Sequence, residues 1–143
     1  MLTTELRGRD VSDDWAVADH PAVLTAIATG LRELHALPSS PFGSPFPGAR
    51  DVVTHGDYAA PNVFLDPETL QFAGMLDVGK LGMGDRYVDL ALMYKSLANG
   101  RNPRYGLVPA ARSFVERYGG DPDDPRIAYY IGLDDSDSFW ERG

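Results

Sequence analysis

Between Pro21 and Leu37 the apolar residues Leu24, Ile27, Ala28, Leu31 and Leu34 recur at three- and four-residue spacing, which predicts an amphipathic helix. Pro21 suits its first turn and Pro38 ends it. Residues 38–50 are rich in Pro, Gly and Ser and predict a loop or linker without ladder hydrogen bonds. The β-branched run Asp51-Val52-Val53-Thr54 predicts a short buried strand. Val63-Phe64-Leu65 and Leu70 to Leu76 flank the turn-forming Asp66-Pro67-Glu68-Thr69 and predict a β-hairpin with Asn62 and Asp77 at its open ends. Asp85 caps a helix through about Ala98 that is apolar on most sides, as a central buried helix must be. Leu107, Ala111, Phe114, Val115 and Tyr118 predict another helix, stopped by Gly119-Gly120, and Asp124-Pro125 opens a last one through Ile131. After Gly132 the pattern reads as an acidic and aromatic tail. The whole predicts an α+β fold, mainly helical, carrying one short hairpin.

Composition narrows this picture. The 143 residues suffice for a single domain with a core, and 43% hydrophobic residues argue against wholesale disorder. The absence of cysteine excludes a disulfide framework and thiolate chemistry, which fits a cytoplasmic protein. No apolar run approaches membrane-spanning length. Twenty-one acidic against 13 basic residues, a formal charge of −8, disfavour nucleic acid and would attract small cations, although acidity that serves solubility alone is the preferred reading of the charge by itself.

The chemistry concentrates around His55-Gly56-Asp57, Asn62 and Asp77. Phosphoryl transfer needs a carboxylate near the accepting hydroxyl and hard oxygen ligands for Mg²⁺. Protein kinases place an Asn five residues after the catalytic Asp and a metal-binding Asp-Phe-Gly on a following strand. Here Asn62 lies five residues after Asp57, and Asp77-Val78-Gly79 ends the second hairpin strand. Asp57 is the expected base or orienting group, and Asn62 and Asp77 the metal ligands. His55, Gly56, Gly79, Asp85 and Asp89 are expected to support the site, His55 by buttressing the loop. An Asx turn or helix cap is the ordinary use of Asp57 and Asn62, and it leaves the three-part spacing unexplained. A metal-hydrolase cluster of His55, Asp57, Asp77, Asp85 and Asp89 is a weaker alternative, since it gives Asn62 no task. His20 and His35 read as helix-edge residues.

The stretch from Val52 to Pro67, followed by Gly74 to Ala91, resembles bacterial aminoglycoside 3'-phosphotransferases and their antibiotic and choline kinase relatives. The resemblance implies the C-terminal lobe of a protein-kinase-like fold that uses ATP and Mg²⁺ to phosphorylate an aminoglycoside hydroxyl. Residues 1–10 resemble the family's interlobe hinge, which implies adenine contacts from Thr4, Glu5 and Leu6. Lys80 stands where the family commonly has Arg, which implies a cation near the phosphates. Asp134 and Asp135 resemble the acidic residues that grip the antibiotic's ammonium groups, and a solvated acidic tail is their bland alternative.

Three departures shape the expectations. The family is two-lobed, so the nucleotide-binding N-terminal lobe with its phosphate-gripping lysine is expected to lie outside these residues. Residues 38–50 stand where the family has a helical insertion, and Ser136 to Gly143 depart from its usual aromatic terminus. Two alternatives follow: a non-catalytic remnant or binding domain, associating through an exposed interlobe surface, and a kinase for choline, homoserine or a macrolide.

Overall fold

A computed structural model describes residues 8–76, 78–99, 103–136 and 139–140. The hinge-like Thr4, Glu5 and Leu6, and the metal-ligand candidate Asp77, lie outside the described residues.

Among the described residues, four α-helices pack around two small sheets. Helix α1 (His20–His35) turns Val23, Ile27, Leu31 and Leu34 inward, as its spacing predicts. Strand β1 (Arg9–Asp10) pairs antiparallel with β3 (Val63–Leu65), which pairs with β4 (Phe72–Met75) in the predicted hairpin. Strand β2 (Val52–Thr54) is buried throughout and pairs antiparallel with β5 (Gly82–Gly84). Helix α2 (Arg86–Ala98) is the central helix: Val88, Leu90, Ala91, Met93 and Leu97 are fully enclosed, and it packs against α3 (Val108–Tyr118) and α4 (Pro125–Asp134). Burying each such aliphatic side chain contributes about 2 kcal/mol against the entropy of ordering the chain.

The helix starts follow their predicted caps. The Asp85 side chain accepts from the Tyr87 N–H at 2.9 Å, and Asp124 does the same for Arg126. Asp85 is nearly enclosed and does more than cap: Arg126 donates to both of its oxygens, at 3.2 and 3.1 Å, and the Tyr130 hydroxyl donates at 3.2 Å. One carboxylate thus ties the start of α2 to α4.

The Pro/Gly/Ser stretch differs from expectation. The Ser44 N–H donates to the Met83 carbonyl, and the Met83 N–H to the Phe42 carbonyl, so residues 42–44 lie beside β5 as a further strand-like edge. Gly82 permits this, since a Cβ there would meet the Gly43 backbone at 2.7 Å. Phe46 is buried against Phe139, Trp140 and Tyr130. Prolines interrupt the segment without preventing it from bonding through the residues between them. The acidic end differs too: α4 runs through Asp134 rather than stopping near Ile131.

Asp85→Ala removes the cap and leaves Arg126 without that partner; it is expected to cost about 2 kcal/mol, read as a fall in the urea midpoint at unchanged slope. Arg126→Leu should cost less, because the arginine is nearly half exposed and its loss leaves the Asp85 cap on the Tyr87 N–H in place.

Candidate active site

Strand β2 delivers His55 and Gly56 to the buried carboxylate of Asp89 on α2. The His55 N–H donates to Oδ2 and the Gly56 N–H to Oδ1, both at 2.9 Å. His35, at the end of α1, donates from Nε2 to the same Oδ2 at 2.8 Å, and its Nδ1 meets the Tyr118 hydroxyl at 2.7 Å. A fully enclosed carboxylate needs such a set of donors in place of the water it has lost. His35 is therefore not a helix-edge residue but a buried strut linking α1, α2 and α3. His20 is buried as well, against the Trp15 carbonyl and the Tyr105 ring.

The His55 ring is spent on the loop. Its Nε2 lies 2.6 Å from the Leu76 carbonyl, which can only accept, so Nε2 carries the proton. Its Nδ1 accepts from the Asp57 N–H at 3.0 Å. Both nitrogens have partners, and neither is available to a metal or to substrate. Gly56 has φ +87°, and a Cβ there would meet Lys80 Cβ at 2.7 Å, so glycine is required twice over. The loop continues into Tyr58, whose hydroxyl donates to the Ile27 carbonyl, and Ala60, whose N–H donates to Ser96 Oγ.

Asp57 emerges from this scaffold half-buried. The Asn62 amide reaches it from Nδ2, 2.9 Å from the Asp57 carbonyl and 3.3 Å from Oδ2. With Nδ2 committed to Asp57, the amide presents Oδ1 on its other side, a hard oxygen of the kind Mg²⁺ prefers. The Asn62 carbonyl accepts from the Leu76 N–H, so the two ends of the hairpin are locked beside the loop. Partial burial pushes the Asp57 carboxyl above its ordinary value; Lys80 and His55 pull it down, and Asp134 pushes it up.

Asp57 opens into a cleft of about 390 Å³ whose far wall includes Lys95 and Asp134. Leu92, Lys95, Ser96 and Asn99 line it from α2, at i, i+3, i+4 and i+7 of one helix face. This polar break in an otherwise apolar helix is the signal by which sequence reading could have found them. Asp134 and Asp135 are not a solvated tail: Lys95 Nζ lies 2.8 Å from Asp134 Oδ2 and 2.5 Å from Asp135 Oδ1. The Trp140 indole N–H donates to the Asp134 carbonyl at 2.9 Å, and Lys80 Nζ sits 4.2 Å from the centre of the Trp140 ring. Lys80 is thus at the loop, held over an aromatic face.

Two supporting residues act differently from expectation. Asp85 braces α2 against α4 and stands apart from the loop's hydrogen bonds, whereas Asp89 holds the loop directly. A Cβ on Gly79 would meet nothing within 4 Å, so close approach does not demand glycine there. The metal-hydrolase alternative loses its ligands: Asp85 and Asp89 are saturated by protein donors, and among the described residues no group of three or more His, Cys, Asp or Glu is placed to hold a metal.

Comparison with known proteins agrees with this geometry. Over 91 residues the chain is 46% identical to the streptomycin 3''-kinase of Streptomyces griseus, covering 60% of this chain and 32% of that protein. With the aminoglycoside 3'-phosphotransferase of Streptomyces ribosidificus it shares 31% identity across 94% of this chain and 68% of the relative. The match to the first of these thus spans about a third of the relative's length. The fold superposes on a crystal structure of aminoglycoside-3'-phosphotransferase of type VIII with a TM-score of 0.79 at 28% identity, covering 91% of this chain and 66% of that one. It also superposes on the aminoglycoside phosphotransferase APH(3'')-Id of Streptomyces rimosus, solved with ADP and streptomycin, with a TM-score of 0.70 at 27% identity, covering 90% and 66% of the two chains. Residues 45–130, which include Asp57, Asn62, Asp89 and Lys95, match the family model described as "Phosphotransferase enzyme family", and the chain belongs to that family.

Proposed function

We propose that this chain is the catalytic lobe of an ATP-dependent kinase that phosphorylates a hydroxyl of an aminoglycoside. The observation that carries this reading is Asp57, half-buried, hydrogen-bonded by Asn62, and sharing one cleft with Asp134. Asp57 accepts a hydrogen bond from the substrate hydroxyl and fixes its direction, which is most of what a loose phosphoryl-transfer transition state requires. Asn62 and Asp77 would hold Mg²⁺ through hard oxygens; ATP would supply the transferable phosphoryl group and the metal the neutralising charge. Thr4 to Leu6 hold the adenine, and Lys80 supplies positive charge close to Asp57. Asp134 and Asp135 receive the ammonium groups of the substrate. The ADP and streptomycin bound in the Streptomyces rimosus protein support a nucleotide and an aminoglycoside as the ligands. The same reading makes the protein cytoplasmic, where ATP and Mg²⁺ are available.

The test is phosphate transfer from MgATP to kanamycin and to streptomycin, with the chain joined to a nucleotide-binding lobe of the family. Asp57→Ala is expected to lower kcat by about 10²- to 10⁴-fold with little change in the KM for ATP. Turnover close to that of the parent in this variant would sink the role given to Asp57.

The raised Asp57 carboxyl gives a pH signature. The ionised form is the active one, so kcat/KM is expected to fall on the acid side with an inflection above the ordinary carboxylate value. Stability runs the other way. Folding takes up a proton at Asp57 in the window between the ordinary and the raised value, so this contribution is lost as pH rises through that window. Asp57→Asn removes the partly desolvated charge, and its melting temperature at neutral pH should be no lower than that of the parent. Differential scanning calorimetry checks this.

Asp89→Asn keeps the size of the side chain but exchanges an acceptor for a donor opposite three donors. It should cost about 2–4 kcal/mol and reduce kcat by displacing the loop. Chemical denaturation and the same transfer assay read the two effects.

A further inference from the structure

The acidic pair given to the substrate already holds an ammonium group. Lys95 rises from the cleft-facing side of α2, and its Nζ lies within hydrogen-bond distance of one oxygen from each aspartate. Lys95 and Asp134 are mostly enclosed and line the cleft, whereas Asp135 is more than half exposed, so the Lys95–Asp134 pair belongs to the wall of the cleft and Asp135 adds to it from outside the lining. Asp134 is further fixed because its carbonyl accepts from Trp140. Asp57 lies in the same cleft.

From this arrangement we propose that Lys95 is an internal counter-ion that occupies the acidic subsite until a substrate ammonium displaces it, and so sets the affinity for amine-bearing substrates. The inference rests on the reading of Asp134 and Asp135 as the substrate's cation subsite. Charge arithmetic states the consequence. Two aspartates and one lysine carry a net −1, so an incoming ammonium meets a pair already half neutralised. It must exchange with Lys95 or settle for the exposed Asp135 oxygens. A site that is competent only when Lys95 has swung away binds more weakly by the fraction of time it is free. The exchange also confers selectivity: a neutral or singly charged alcohol gains too little from the aspartates to displace the lysine, whereas a polycation with several ammonium groups succeeds. Released Lys95 remains in the cleft, where its three donors can meet the hydroxyl oxygens of a sugar ring.

The experiment is calorimetric titration of the 143-residue chain with kanamycin at low ionic strength, comparing the parent with Lys95→Met, Lys95→Arg and Asp134→Asn/Asp135→Asn. Methionine preserves the apolar stem and removes the charge. Lys95→Met is expected to bind kanamycin about three- to tenfold more tightly, with a steeper loss of affinity on adding salt, and Lys95→Arg to behave as the parent. A second readout is the side-chain ¹⁵N resonance of the Lys95 ammonium, which should be sharp in the free chain and broaden or shift as kanamycin is added. A merely structural salt bridge would leave that resonance unmoved. Unchanged or weaker binding by Lys95→Met, with its melting curve intact, overturns the exchange; if Asp134→Asn/Asp135→Asn still loses affinity, the subsite assignment stands without it. Equal binding by the parent and the double asparagine variant overturns the subsite assignment and the exchange together. Tighter binding that persists in Lys95→Met combined with the double asparagine variant also overturns the exchange, because the gain then has no aspartate to act through.

Discussion

The loop after β2 hangs from the Asp89 carboxylate. That carboxylate is fully enclosed, and a group so placed needs donors at each oxygen. Those donors come from the backbone of His55 and Gly56 and from the ring of His35. Satisfying the carboxylate therefore fixes three elements at once: the end of α1, the first turn of α2 and the turn after β2. The loop's direction follows. His55, held by its backbone, spans with its ring from the Leu76 carbonyl to the Asp57 N–H, and this aims Asp57 into the cleft. The need to satisfy one buried carboxylate thus sets the position of Asp57.

The surrounding packing serves the same end by different means. Tyr58 and Ser96 tie the loop down to α1 and α2 through hydrogen bonds to buried backbone groups. Asp85 and Arg126 clamp α4 against the start of α2, which brings Asp134 and Asp135 within reach of Lys95. The cleft thus has one wall set by the loop and another by the helix pair, and neither wall is a free segment. Its electrostatics are graded: partial burial and Asp134 favour the protonated form of Asp57, and the positive charge of Lys80 opposes them.

Much of the site was legible because local chemistry dictated it. The five-residue step from Asp57 to Asn62 and the hairpin that returns to Leu76 are short-range features, readable from turn residues and β-branched runs. The caps Asp85 and Asp124 were legible for the same reason. What escaped was long-range. His35 sits at the end of an amphipathic helix, where a histidine is usually wet, and only its approach to Asp89, 54 residues away, makes it a core residue. Nothing in the sequence singles out the partners of Lys95, two carboxylates 39 and 40 residues on, which α4 places beside it. The Pro/Gly/Ser stretch seemed unable to pair, yet β5 carries glycines that let it approach.

Order along the chain, the hairpin, the caps Asp85 and Asp124, and the juxtaposition of Asp57 with Asn62 were written in spacing and residue type, since each depends on interactions within a few residues. The partner of each buried charge, the shape of the cleft and the pairing of Lys95 with Asp134 and Asp135 were settled by folding. Coulomb and hydrogen-bond energies depend on distance in space, and the chain's own spacing does not reveal which distant residues the packed helices will bring together.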